Sequence, residues 1–590
     1  MKPGKMKMRA VQLDLARQME TLPFIREFID FASTFGYNSL VLYLEARIKT
    51  RSFPYPSKEA CYTPEEMEQV VAYAAERKMQ VIPVVPNLGH TEQFLQYPAL
   101  APLAELREGR MGRFSKGLSM VCPSLEETYE FFDAYYSEIA AIFPSPYFHV
   151  GNDESWDIGY CARCRRRIKE GESQADIFTR HLKRTHETVV GKLGKKMIMW
   201  DDLFEHYRKS LQEIPRDIIM CCWHYDELVD IPRAHFCNRL REDWLKVYDQ
   251  IGFSYLIAPA EHTPANGETF TRYAANYSPL GAHLTSWEKG TSFLYEHYPT
   301  IAYLGRLWQS GWPKEPVSLF HEVCRQLFGV NEAGFLEAVR VSQYLGDWPL
   351  PSSVEGLLRG PFTASETKRS LVRGYLYQQL VPFLSRVSPL GRKILQDILI
   401  RLKEENLSHR LRQAVAGLST GVVPAEKQRL NALGRSALKE LGQLKEERVS
   451  QWQQHRPGLP ARHLVNRFQQ CQQSIATFLE KAAGNNLLSF LWVNYFLPDA
   501  YNAQKVRLSL WFQKNERWQE VYSGVPKPNL ADPGQTPFFT LGCCLEETEP
   551  PEKIRIESWG YGGIGLTYLK LVTPKETYLP AGILRKRGLV

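Results

Sequence analysis

Residues 63–85 read TPEEMEQVVAYAAERKMQVIPVV, and the hydrophobic periodicity changes within this one stretch. Thr63 with Glu66 three residues on is a capping box, and Pro64 takes the first helical position, where a backbone N–H has no intrahelical partner. Met67, Val70, Val71 and Ala74 then recur at the spacing of one buried helix face. From Gln80 to Val85 the pattern becomes an apolar run of strand length, as expected of a strand covered on both faces. A helix feeding a buried strand is the repeating half of a parallel β-α unit.

The same alternation extends in both directions, from residue 9 to about residue 310. It predicts eight strands: Ala10–Leu15, Ser39–Leu44, Gln80–Val85, Pro146–Gly151, Lys196–Trp200, Ile218–Trp223, Phe253–Pro259 and Gly281–Trp287. A second capping box, Ser124-Leu125-Glu126-Glu127, is expected to open the helix before the fourth strand. Eight strands with intervening helices in this length match an α/β fold of the (β/α)8 TIM barrel type, assigned to residues 1–312. Residues 313–482 change to long helical periodicities, with Ile394–Lys403 and Gln428–Gln454 rich in Leu, Lys, Arg, Glu and Gln, and are read as an α-helical domain. Residues 483–590 alternate in short runs such as Lys505–Phe512, Lys553–Trp559 and Leu566–Val572, separated by turn-rich spacers that include Pro526–Pro537. They are expected to form a C-terminal antiparallel β-sandwich.

Composition narrows the functional classes. An excess of +8 over 590 residues is too dilute for a polyanion-binding surface, so no nucleic acid partner is expected. No run of eighteen apolar residues occurs, and the basic stretch Met1–Arg9 leads into no long apolar segment, so neither a membrane span nor a leader is expected. The eleven cysteines, an odd number without a disulfide-like framework, suit a reducing cytoplasm. Aromatic residues make up 12% of the chain, which suits stacking on sugar rings and large cores equally.

In such barrels reactive side chains sit at the C-terminal ends of strands. The fourth predicted strand runs through His149-Val150-Gly151 into Asn152-Asp153-Glu154, placing two adjacent carboxylates at its end. Neighbouring like charges raise one pKa and favour a proton donor, while a bare Asp-Glu pair also reads as a helix cap. Trp200, Trp223 and Trp287 end strands five, six and eight, where indoles form either core or the walls of an apolar box.

The segment His149-Val150-Gly151-Asn152-Asp153-Glu154 resembles the His-X-Gly-Gly-Asp-Glu signature of glycoside hydrolase family 20, the β-N-acetylhexosaminidases, with Asn152 in place of the second glycine. Arg9–Leu15, Phe53-Pro54-Tyr55, Tyr62–Glu66 and Val81–His90 are similar to the hexosaminidase D branch, and the resemblance covers about the first 300 residues. It implies an exo-acting retaining enzyme for terminal β-linked GalNAc or GlcNAc, in which the substrate's own 2-acetamido oxygen attacks the anomeric carbon to give an oxazolinium intermediate. On this resemblance Glu154 is the acid and base, and Asp153 holds the acetamide. Trp200, Trp223 and Trp287 box its methyl group, and Tyr225 faces its oxygen or packs the loop. Arg17 and Glu288 hold sugar hydroxyls, or lie at a helix start and in a solvated loop. His90 and His149 orient the carboxylates or are structural.

The expected partner is a glycan with a terminal N-acetylated amino sugar, with no cofactor and no metal. The terminal sandwich, with Trp559-Gly560-Tyr561-Gly562 as a sugar platform, a structural cover or a homodimer surface, stays open. Cys161-Ala162-Arg163-Cys164 has the spacing of half a zinc site, but the sequence offers no second pair or histidine at a matching distance. Asp201-Asp202 and Asp226 suggest a magnesium cluster, but Asp201 or Asp202 reads more simply as a pocket-rim or helix-capping residue. Two other readings stand beside the first. One is a two-carboxylate glycosidase with Glu45, Glu261 or Glu288 as second acid, and the other a catalytically silent glycan-binding barrel.

Overall fold

The computed structural model describes residues 4–57, 60–106, 118–155, 157–229, 242–287, 294–346, 350–351, 357, 364–417, 424–483, 489–496, 507–524, 538–545, 553–559, 565–572, 577–578 and 583–588. The chain divides into two compact units, residues 1–327 and 328–590.

In the first unit β1 (Met8–Asp14), β2 (Ser39–Tyr43), β3 (Gln80–Val84), β4 (Tyr147–His149), β5 (Lys196–Trp200), β6 (Ile219–Trp223), β7 (Tyr255–Ala258) and β8 (Gly281–Leu284) close into a parallel barrel in sequence order. Closure is made by β8 on β1, with Met8 opposite Gly281 and Val11 opposite Leu284. Alternate residues point inward, so Met8, Ala10, Val41, Tyr43, Ile82, Val84, Ile198, Trp200, Ile219, Cys221, Leu256 and Ala258 form one packed interior cluster. Branched and aromatic side chains fill the barrel as a core, leaving chemistry to the strand ends.

Thr63 and Glu66 form the expected capping box at the start of helix Pro64–Glu76: Glu66 N–H donates to Thr63 Oγ1 at 3.2 Å, and Thr63 N–H donates to Glu66 Oε2 at 2.8 Å. The second expected box does not form. Helix Glu126–Ile142 has Leu125 as N-cap with no side-chain cap, because Ser124 Oγ instead lies 3.2 Å from the Cys164 sulfur.

The second unit carries the helices Ala333–Gln343, Ala364–Leu380, Pro389–Gly417, Pro424–His455 and Arg462–Ala483. Apolar residues including Ile400, Leu407, Leu441, Phe468 and Ile475 make its core, and Arg448 and Arg467 both pair with buried Glu404, at 2.9 and 3.0 Å. Its last strands are β9 (Ser489–Phe496), β10 (Arg507–Lys514), β11 (Arg517–Gly524), β12 (Phe538–Leu545), β13 (Lys553–Trp559), β14 (Gly565–Val572), β15 (Thr577–Tyr578) and β16 (Ile583–Gly588). They form two four-stranded sheets, ordered β11-β10-β13-β16 and β12-β9-β14-β15. β13 and β16 run parallel, which corrects the purely antiparallel expectation for that pair. Gly560, Tyr561 and Gly562 of the suggested sugar platform lie outside the described residues, as does Pro526–Pro537. No helix among the described residues is long and apolar enough to cross a membrane.

Candidate active site

The turn after β4 is built by backbone geometry that few residues tolerate. Gly151, Asn152 and Glu154 have φ of 69°, 71° and 49°. At Gly151 a Cβ would also lie 2.9 Å from Pro86 Cβ, so glycine is required there. Asparagine is among the residues most often found in the left-handed region, while the Asn152 amide is fully buried with neither polar atom hydrogen-bonded among the described residues. The one departure from the family motif thus falls on a residue its backbone accepts. His149, at the strand end, accepts the Gly151 N–H on Nδ1 at 3.0 Å and closes the turn from beneath. Burial pushes this imidazole well below its ordinary range, so it is neutral.

The turn presents Asp153 and Glu154 to His90, which sits in the loop after β3 with a φ of 53°. His90 Nε2 is 3.4 Å from Asp153 Oδ2 and 3.1 Å from Glu154 Oε2. Gly89 makes this approach feasible, since a Cβ there would collide with the Asp153 carbonyl oxygen. Burial alone would lower the His90 pKa, but the charge of Asp153 and then the hydrogen bond and charge of Glu154 prevail and raise it to about 10. For Asp153, burial is the largest influence and raises the pKa, His90 opposes it, and Glu154 adds to the rise. A protonated His90 beside Asp153 is the state that this geometry favours, and it offsets the cost of burying Asp153 as an anion. Asp153 Oδ1 is buried without a hydrogen-bond partner among the described residues, leaving one acceptor free.

A continuous wall leads away from the pair. Asp202 Oδ2 accepts the Glu154 N–H at 2.9 Å, and its Oδ1 lies 3.5 Å from Trp223 Nε1. The Trp223 ring packs 4.9 Å from Tyr225, whose hydroxyl accepts from Trp287 Nε1 at 2.8 Å. Trp287 meets Tyr43 edge-on at 5.1 Å, and the Arg17 guanidinium lies 5.2 Å from each of those two rings. Arg17 is held by Asp14 through its backbone N–H and Nη1, both at 3.1 Å. Trp200 is only 1% exposed and lies lower, stacked on His283 at 5.3 Å and 5.9 Å from Trp287, as a floor rather than a side wall.

The fold therefore gathers Asp153, Glu154 and His90 into one cluster, and links Trp223, Tyr225, Trp287 and Arg17 along one wall. Glu288 lies outside the described residues. Asp201 points away, accepting from Tyr248 at 2.7 Å, so of the Asp201-Asp202 pair only Asp202 touches the site.

Two groups near the site carried little weight in the sequence reading. Tyr43 is the last residue of β2, and Glu45 follows two residues later with a φ of 43°. Burial, then repulsion from Glu92, raise the Glu45 carboxyl to about 8 against the opposing pull of Arg17 and His90. The strand-end rule that selected Trp200 would have selected both.

A closed parallel barrel with paired acids at the end of β4 has the architecture of a (β/α)8 barrel with a candidate site at its strand ends. Residues 6–290, which span the barrel, match the description "Glycosyl hydrolase family 20, catalytic domain". Among similar proteins, a beta-hexosaminidase of Vibrio furnissii is 25% identical over 317 residues, covering 47% of this chain and 49% of its own. Hexosaminidase D of Bos taurus is 24% identical over 324 residues, covering 50% of this chain and 87% of its own. The chain thus spans about half the length of the Vibrio furnissii relative. Among solved structures, an exo β-N-acetylglucosaminidase of Vibrio harveyi aligns over 55% of this chain and 58% of its own, at 19% identity and a TM-score of 0.43.

Proposed function

We propose that the barrel is an exo-acting, retaining β-N-acetylhexosaminidase that removes terminal β-linked GalNAc or GlcNAc by substrate-assisted catalysis. The observation that carries this reading is the unequal setting of the two acids. Asp153 is buried, bound through one oxygen to His90, and has its other oxygen free. Glu154 is more open, with 22% of its side chain exposed against 12% for Asp153. An anion with one free acceptor suits an acetamide N–H, which it orients while balancing the charge that develops as the acetamide oxygen attacks the anomeric carbon. A more open carboxyl suits proton exchange with the leaving oxygen and then with water.

The wall of Trp223, Tyr225 and Trp287 supports the same reading, because an acetamide methyl needs an apolar enclosure and its oxygen a hydroxyl donor. Tyr225 takes that donor role with its own proton, since its oxygen already accepts from Trp287. Arg17, fixed by Asp14, binds sugar hydroxyls through its remaining N–H groups. The eight described cysteines are buried and outside any disulfide, which fits a protein working in a reducing compartment such as the cytoplasm.

The test is a panel of p-nitrophenyl β-glycosides of N-acetylglucosamine, N-acetylgalactosamine, glucose and galactose. Release of p-nitrophenol is expected from the acetamido sugars alone, with strong inhibition by a thiazoline mimic of the oxazolinium ion. Equal release from glucoside and galactoside, indifferent to the mimic, would replace this reading with a two-carboxylate mechanism.

A further inference from the structure

The Cys161–Cys164 pair does not stand alone in the fold. Cys122 comes from the loop after β3 and lies with its sulfur 3.4 Å from that of Cys161 and 3.8 Å from that of Cys164. Glu105, from the same loop, brings Oε2 to 3.3 Å from the Cys164 sulfur. One ligand atom from each of the four residues falls within 4.8 Å of all the others, and the residues are between 0% and 8% exposed.

We propose that Glu105, Cys122, Cys161 and Cys164 form a structural zinc site that ties the His90-bearing loop after β3 to the Asp153-Glu154-bearing loop after β4.

The dimensions match the ion. Zinc–sulfur bonds of about 2.3 Å and zinc–oxygen bonds of about 2.0 Å set tetrahedral edges of about 3.8 Å between sulfurs and about 3.5 Å between sulfur and oxygen. The sulfur–sulfur separations of 3.4 and 3.8 Å and the sulfur–oxygen separation of 3.3 Å lie close to these edges, and far from the roughly 2.05 Å of a disulfide. A single disulfide would also leave a third thiol and a carboxylate packed against it.

The surroundings are arranged for an anionic ligand set. Glu105 Oε1 accepts three backbone N–H groups, from Gly159, Tyr160 and Cys161 at 3.1, 2.8 and 2.9 Å, which fixes the carboxylate and leaves Oε2 facing the sulfurs. Cys161 caps helix Ala162–Lys169, and its sulfur accepts the Cys164 N–H at 3.3 Å. Ser124 Oγ stands 3.2 Å from the Cys164 sulfur and 3.4 Å from the Arg180 guanidinium. Among the described residues no lysine or arginine pairs with Glu105, so a buried carboxylate beside three ionisable thiols lacks the cation that zinc supplies. Three thiolates and one carboxylate make a closed tetrahedron with no position for water, as in structural rather than catalytic zinc sites. Binding releases the thiol protons to solvent, and the soft donors select zinc over magnesium or calcium.

The loops are organised around the same point. Glu105 N–H donates to the Met120 carbonyl at 2.8 Å, and Cys122 N–H to the Leu103 carbonyl at 2.7 Å, pairing the two segments that carry these ligands. Gly89 bridges Met120 in the same small ladder, one residue before His90. On the other side, Cys161 follows Glu154 by seven residues.

The test is metal analysis of the full chain purified without chelators, by inductively coupled plasma mass spectrometry. It is followed by zinc and cobalt titration of the chelator-stripped protein. The expected results are one zinc per chain, a thiolate-to-cobalt charge-transfer band with tetrahedral d–d absorption, and recovery of one zinc on titration. Cys122→Ser should weaken zinc binding at least about tenfold, the scale on which even outer-shell changes act. Glu105→Cys, which completes a four-sulfur set, should keep one zinc per chain, so the proposal stays testable if Cys122→Ser fails to fold. Wild-type protein that binds no zinc as purified or on titration, a disulfide among these cysteines by mass spectrometry, or unchanged affinity in Cys122→Ser would overturn it.

Discussion

Replacing Glu154 by glutamine should lower kcat on an alkyl N-acetyl-β-hexosaminide about 10³-fold, within the range by which a positioned general acid accelerates such reactions. The amide keeps the shape and the hydrogen-bonding reach to His90 but has no proton to give to an alkoxide leaving group. Glu154 is only partly buried and its backbone N–H is held independently by Asp202, so the turn should survive the change with little loss of stability. The size of the effect should depend on the leaving group. A 2,4-dinitrophenolate departs without protonation, and its glycoside should lose markedly less than the alkyl glycoside, with KM nearly constant. Equal losses on both substrates would assign the acid role to another residue.

Asp153→Asn should act on a different part of the substrate. The side chain keeps its volume, but the anion is gone, and with it the charge that steadies a developing oxazolinium. The expected fall in kcat on acetamido substrates is about 10²- to 10³-fold, comparable to removal of one preorganised electrostatic partner. The loss should appear for leaving groups good and poor alike, which separates it from Glu154→Gln. Any residual hydrolysis of 2-hydroxy analogues should be unaffected, so the preference for acetamido sugars shrinks. His90 also loses an anionic neighbour, and its pKa, read by NMR, should drop from about 10. An undiminished acetamido preference in Asp153→Asn would refute the division of labour between the two acids.

Much of the barrel was legible because its signals are local. The switch from helix period to apolar run between Met67 and Val85 lies within one β-α unit, and each of the eight predicted strands overlaps an observed one. The observed strands mostly stop short of the expected ends. Residues such as Leu44, Gly151 and Trp287 look continuous with the strand in sequence, yet already belong to the loops that form the site. Asp153 and Glu154 were legible for the same reason, being next to a strand. Their unequal environments were not, because His90 comes from another loop and Asp202 from another strand end. Ser124 shows the limit in the other direction: its pattern was that of a capping box, but its hydroxyl lies beside Cys164, forty residues away in sequence.

The cysteine cluster was hidden by distance along the chain. Cys161 and Cys164 carry a recognisable spacing, but Cys122 is 39 residues before the first of them and Glu105 is 56 residues before it. No periodicity links these positions. Only the adjacency of β3 and β4 in the barrel brings their loops together. Carboxylate ligands are harder still to see, since a glutamate in a polar loop has many ordinary explanations until its neighbours are known.

In the proposed mechanism the nucleophile belongs to the substrate. The most direct measurement is kcat/KM across p-nitrophenyl glycosides whose 2-acetamido group carries zero, one, two or three fluorines on its methyl carbon. Fluorine withdraws electrons from the amide oxygen with little change in size, so the rate should fall steeply at each step if that oxygen attacks the anomeric carbon. A flat series, with all four substrates hydrolysed at similar rates, would mean that the acetamide is merely bound, and would transfer the nucleophile to the protein or to water.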